Sequence, residues 1–178
     1  MLIQRLGIEF QCESPDVDES SKPGESPENY VQRVSEMKAR VIANLHENTI
    51  VIGSDQTLLC GQEVLGKPGN HELAKKQLLM LSGQKVTFYT GLSVINSSTN
   101  SVQSDCIEFV VYFRELNNKQ IEDYLEKEKP YDCAGSFKSE SLGISLVSKM
   151  QGDDPSALIG LPLIRLCGML RNEGITVP

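Results

Sequence analysis

The sequence predicts an α/β or α+β unit built on a mixed sheet, and three observations carry that expectation. Apolar residues recur at helical spacing from Val31 through Val34, Val41 and Ile42 to Leu45. The β-branched apolar run Thr49-Ile50-Val51-Ile52-Gly53 follows and reads as a buried strand. Two long strand-like runs, Lys85 to Ile95 and Val102 to Phe113, are joined only by the polar stretch Asn96 to Ser101. Helices thus alternate with hairpin-linked strands.

In chain order, Met1 to Leu6 reads as the last turns of a helix, with Gly7 as its stop. Ile8-Glu9-Phe10-Gln11-Cys12 alternates like a strand, and the polar stretch Glu13 to Glu25 reads as a solvated loop. Ser26-Pro27 is an N-cap followed by proline at the first helical position, which opens the helix that carries Val31 to Leu45. After the strand at 49–53 come Ser54-Asp55-Gln56, then Leu58-Leu59-Cys60 and Glu63-Val64-Leu65 about a hairpin turn at Gly61-Gln62. Asn70 caps a second helix that ends at Leu81, before Ser82-Gly83. Beyond the two long strands, Asn117 starts a charged helix that stops before Pro130. Ile144 to Met150 reads as a strand, and Leu161 to Arg171 as an amphipathic helix with Gly174 past its end.

The 178 residues fit one domain or one compact two-lobed unit, and 39% hydrophobic residues supply a core. No apolar run is long enough to cross a bilayer, and residues 1–10 are too short and mixed for a signal peptide, so a cytoplasmic location is expected. The five cysteines are widely spaced without a CxxC pair, which argues for reduced thiols rather than a disulfide framework or zinc site. A net charge of −7 with no basic stripe argues against a nucleic-acid partner. A small phosphate ligand needs only a few lysines, a helix N-terminus or a divalent cation.

Familiar catalytic patterns fail one by one. Gly61 to Lys67 begins like a P-loop, but Pro68 stands where Ser or Thr must hold magnesium. Neither a GxSxG elbow nor a GxGxxG fingerprint occurs. Asp55 is different, because it directly follows a buried apolar strand, and a carboxylate there projects into the crevice where α/β sheets bind ligands. Position alone suits a turn cap; the surrounding motifs change the reading.

Five segments, in order, resemble the Maf family of nucleotide pyrophosphatases. They are Asp16-Val17-Asp18-Glu19-Ser20, the pair Lys38-Ala39, Ile52-Gly53-Ser54-Asp55-Gln56, Leu65-Gly66-Lys67-Pro68, and Ala134-Gly135-Ser136-Phe137-Lys138-Ser139-Glu140. Ile159-Gly160-Leu161-Pro162-Leu163 also fits, so the resemblance covers essentially the whole chain. It implies an α/β fold with a mixed twisted sheet, flanking helices and two lobes around a nucleotide cleft, as one domain over 1–178. Many family members carry Gly-Ala-Asp-Thr and Gly-Tyr-Gly-Ile-Gln and resemble enzymes acting on dTTP and UTP. Here the same places read Gly53-Ser54-Asp55-Gln56 and Gly135-Ser136-Phe137-Lys138-Ser139-Glu140, which resembles the branch acting on 7-methyl-GTP. Family members begin with a short strand and a Ser-x-Ser-Pro-x-Arg loop; this chain starts inside the helix that follows, without them.

The resemblance implies a hydrolase of acid anhydrides that converts 7-methyl-GTP to 7-methyl-GMP and diphosphate, in the housecleaning of modified nucleotides. Asp55 is then the proton acceptor and, with Glu19, a ligand of Mg2+ or Mn2+, because carboxylate and phosphate oxygens suit those ions. Lys38 and Lys67 neutralise phosphate oxygens, with Lys138 as a further phosphate-binding residue. Gln56 and Glu140 occupy the positions that separate the branches. A Glu carboxylate accepts from the N1–H and exocyclic amine of guanine, a pattern uracil and thymine do not offer. Implied partners are a small-molecule nucleoside triphosphate and a second copy in a homodimer, with neither nucleic acid nor membrane. The alternatives are a different base preference (dTTP or UTP), and a catalytically impaired protein that binds nucleotides or acts in cell-division control.

Overall fold

Capping chemistry sets the start of each of the first three helices. The computed structural model describes Met1–Val177. Ser26 Oγ accepts from the Asn29 amide at 3.2 Å, and α1 runs Pro27–Ala43, burying Val31, Val34, Ser35 and Ala39. Leu45, expected in the same apolar stripe, lies past the helix end and is exposed. Asn70 accepts from the Leu73 amide at 3.0 Å to open α2, His71–Leu81. Asn117 and Gln120 form a reciprocal capping box for α3, Asn118–Glu128. The last helix, α4 (Leu163–Asn172), takes its caps from further upstream. Ser156 Oγ accepts from Leu163 N at 2.7 Å, and Asp154 Oδ2 from Ile164 N at 2.8 Å.

Five strands form one sheet in the order β2-β1-β3-β4-β5. They are β1 (Ile50–Cys60), β2 (Glu63–Leu65), β3 (Lys85–Asn96), β4 (Ser101–Phe113) and β5 (Val147–Gln151). The β1–β2 hairpin pairs Cys60 with Glu63, and Gly61 takes the left-handed backbone its turn needs, at φ 61°.

The chain divides into two compact units. The first comprises Met1–Asp55, Thr90–Ile107 and Asp154–Pro178; the second comprises Gln56–Tyr89 and Glu108–Asp153. In the first, α4 supplies Leu166, Met169 and Leu170 to a core with Leu92 and Val94 of β3. A smaller cluster joins Ala39 of α1 to Val51 and Ile95. In the second, Phe137 packs against Phe88 and Phe113 with ring centroids 5.8 and 5.2 Å away.

The α/β class stands, and four details differ from the sequence reading. The sheet is antiparallel rather than mixed: β1 leaves the first unit for the second, β3 returns, and β4 leaves again. The β1–β2 hairpin and α2 lie in the second unit, so the chain exits β1 and enters β3 at the same end. Leu2–Leu6 is a 3₁₀ helix, closed by Gly7 at φ 64°. Residues 8–11 alternate in burial as expected, but Cys12 is exposed out of phase and residues 8–12 pair with no strand. Ile8 and Phe10 instead line a groove of about 930 Å3 whose wall includes Ile50 and Ile52 of β1. Residues 144–146 belong to the 3₁₀ turn Leu142–Leu146, so the expected strand starts only at Val147.

Candidate active site

Asp55 lies within β1, not at its end, because the strand continues through Thr57 to the buried Leu58. Alternate strand residues share a face, so Asp55 lies on the same side as Gly53. That side meets α1. A Cβ at Gly53 would run into the Ser35 carbonyl oxygen and reach Ala39 Cβ at 2.9 Å. Gly91 on β3 makes the same allowance for the Val31 carbonyl. Two glycines on adjacent strands thus let α1 lie directly on the sheet. Lys38, one turn beyond Ser35, then reaches Asp55: Nζ to Oδ1 is 2.7 Å.

The same ammonium lies 2.8 Å from Glu19 Oε1. Lys38 therefore bridges two carboxylates, one 11% and the other 48% exposed. Burial opposes the charge on Lys38, but its hydrogen bonds to Asp55 and Glu19 outweigh that penalty and hold its pKa above the lysine value. Burial, reinforced by the charges of Asp55 and Glu19, pushes the Tyr30 phenol up as well.

The loop that carries Glu19 is held by α1. Arg33 grips Glu25 with both arms, Nε–Oε1 at 2.6 Å and Nη2–Oε2 at 2.8 Å, and donates to the Ser20 carbonyl at 3.0 Å. Asp18 Oδ1 accepts from the Ser20 amide at 2.9 Å and folds the local turn. Beside Asp55, Ser54 Oγ lies 2.7 Å from the Gly91 carbonyl and 2.8 Å from that of Gly160, joining two of the sequence motifs.

Of the predicted residues, the first unit thus gathers Asp55, Lys38 and Glu19. The second holds Gln56, Lys67, Lys138 and Glu140. Gln56 is half-buried on β1; Lys67 and Glu140 are exposed. Lys138 is already engaged, with Nζ 3.0 Å from Glu128 Oε1. The segments bearing Lys67 and Glu140 are tied together through Gln77 of α2. Its Nε2 donates to the Gly66 carbonyl at 3.0 Å, and its Oε1 accepts from Ser136 Oγ at 2.6 Å. The Gly135 amide also donates to Gly66 O, at 3.2 Å. Sequence reading overlooked Arg33, Gln77 and the roles of Gly53 and Gly91. The one available signal was Gly53 interrupting a β-branched run, which marks a close backbone approach.

Among the described residues no group of three or more His, Cys, Asp or Glu side chains is placed to hold a metal. The large groove of the first unit is lined by neither Asp55, Lys38 nor Glu19.

Lys38 bridging two carboxylates at a close helix–sheet contact gathers three charged groups at one place, and comparison with known proteins gives the class of the chain. The chain belongs to the Maf family, whose Maf-like protein model matches residues 1–173. It is 51% identical over 177 residues to the 7-methyl-GTP pyrophosphatase of Pseudomonas syringae pv. tomato, covering 99% of this chain and 92% of that protein. It is 50% identical over 176 residues to the protein of the same name from Nitrosococcus oceani, covering 99% and 88%. The Colwellia psychrerythraea protein of that name is 47% identical over 176 residues, with the same coverage of each chain.

Proposed function

We propose that this protein is a nucleoside triphosphate pyrophosphatase that converts 7-methyl-GTP and water to 7-methyl-GMP and diphosphate. One observation carries the reading: Lys38 brings Asp55 and Glu19 to a single cation position in a Maf chain about half identical to proteins named for that reaction.

In the reaction, water attacks the α-phosphorus and the bond to the bridging α–β oxygen breaks. Asp55 accepts the proton of the attacking water. Lys38 and Lys67 offset the charge that develops on the phosphate oxygens and on the departing diphosphate. Lys138 joins them once Glu128 releases it. Gln56 and Glu140 read the base, with the Glu140 carboxylate accepting from the guanine edge and favouring the positive charge that N7 methylation adds.

Asp55 and Glu19 also suit a divalent cation. Their two hard carboxylate oxygens converge on the position now held by the Lys38 ammonium, which a cation would displace toward the phosphates, and Mg2+ commonly takes one or two carboxylates together with substrate phosphates. Such an ion supplies charge that acidifies water and neutralises the leaving group. We assign the protein to the cytoplasm, where its free thiols stay reduced, and to a homodimer.

The test is a panel of nucleoside triphosphates at equal concentration, read by diphosphate release with and without Mg2+ or Mn2+. The reading expects 7-methyl-GTP to be turned over fastest, and only with metal. Preference for dTTP or UTP would replace the base assignment. Binding without diphosphate release would replace the enzyme by a nucleotide-binding regulator. Sedimentation checks the dimer.

A further inference from the structure

Glu140 is exposed, yet the segment around it is tightly held. The anchor is Glu128, in the last turn of α3, whose side chain is only 10% exposed. Its Oε2 accepts two bonds from the far side of Glu140, from Ser141 Oγ at 2.7 Å and the Leu142 amide at 3.0 Å. Its Oε1 faces Lys138 Nζ, on the near side, at 3.0 Å. One carboxylate thus grips the chain on both flanks of Glu140. Lys138 O closes the segment by accepting from the Ser141 and Gly143 amides at 3.3 and 3.1 Å. The close fit at Gly143, where a Cβ would strike the Lys138 carbonyl, leaves the turn little freedom.

We propose that Glu128 is a positioning residue for base selection: it touches no substrate but fixes the turn that presents Glu140. This rests on the reading that Glu140 contacts the base. The two oxygens of Glu128 divide the work, which makes the proposal separable. In Glu128→Gln, the amide oxygen can keep both bonds to Ser141 and Leu142, while the NH2 group cannot accept from Lys138. In Glu128→Ala, all three contacts are lost.

The experiment compares kcat/KM for 7-methyl-GTP and UTP in the wild type and both variants, with amide exchange at Leu142 and Gly143 measured in parallel. A loss of folded or active protein lowers both rate constants equally and cancels in their ratio. Glu128→Ala is expected to lower the 7-methyl-GTP/UTP ratio about ten-fold, the size of effect expected from losing hydrogen bonds to a charged group, and to speed exchange at Leu142. Glu128→Gln is expected to hold the ratio within about two-fold and to keep Leu142 protected, because the retained oxygen still accepts that amide. Any change in KM from the freed Lys138 falls on both nucleotides alike. An unchanged ratio in Glu128→Ala, or equal losses in the two variants, overturns the proposal. If the wild type cleaves neither nucleotide, the functional reading fails instead. The exchange data then decide the anchor by themselves: equal Leu142 exchange in wild type and Glu128→Ala sinks it.

Discussion

Asp55, Lys38 and Glu19 form an electrostatic sandwich in which one ammonium serves two carboxylates. Replacing Asp55 with Asn removes the proposed proton acceptor while keeping the volume. Diphosphate release is expected to fall about 10²- to 10⁴-fold with nucleotide binding retained, checked by turnover and calorimetry on the same preparation. The raised pKa of Lys38 means that its stabilising contribution is complete below 10.5 and is lost only as pH climbs through the higher folded value. Glu25 has the opposite sign. The Arg33 fork pulls its pKa from 4.5 down to about 2, so its contribution is present above 4.5 and is lost as pH falls through about 2. Thermal melts should therefore show wild type losing its advantage over Glu25→Gln across that acid window. A constant difference across the window would separate Arg33 from the loop's stability.

At the scale of elements, the site depends on how closely α1 approaches β1. Gly53→Ala puts a methyl group against the Ser35 carbonyl and Ala39, so the helix must lift. The expected cost is about 1–3 kcal/mol in chemical denaturation, as for other overpacked contacts, together with slower turnover because Lys38 moves with α1. The start of α4 offers a contrast. Ser156 is buried, accepts the Leu163 amide and bonds Asp154 Oδ1, so it serves the start of α4 rather than the α1–β1 contact. Ser156→Ala should cost about 1–2 kcal/mol, as for other lost helix caps, with kcat unchanged for the folded fraction. Equal kinetic damage from both variants would mean that the α1 contact has no special link to the site.

At the scale of the whole molecule, an acidic chain acting on an anionic ligand must concentrate its few useful lysines. The net charge is −7, and Lys38 and Lys138 are already paired with carboxylates. Binding to oligonucleotides at moderate salt is expected to be undetectable by gel shift. All five cysteines are free, and no helix among the described residues is long and apolar enough to cross a membrane. Cys12 is exposed; Cys60 is buried with its thiol pushed up by burial, and burial with Asp132 raises Cys133 to about 11. Titration of native protein with a thiol reagent should modify Cys12 first and Cys60 and Cys133 slowly. Rapid loss of Cys60 would indicate that the β1–β2 hairpin opens in solution.

The sequence by itself determined what depends on neighbours along the chain. Ser26, Asn70 and Asn117 are helix starts because their side chains reach amides three residues on, and Gly61 turns a hairpin because its backbone adopts positive φ. The ordered motifs likewise single out Asp55, Lys38 and Glu19, which the fold brings to one ammonium. Tertiary structure alone decided the rest. Residues 8–12 have strand periodicity but no partner strand, and a strand is defined by its ladder. Asp55 moved from a strand end to a strand interior because polar Ser54 to Thr57 remain in a ladder that local hydropathy cannot reveal. Arg33, Gln77 and Glu128 act on residues 8 to 59 positions away, and such contacts exist only once the chain has folded.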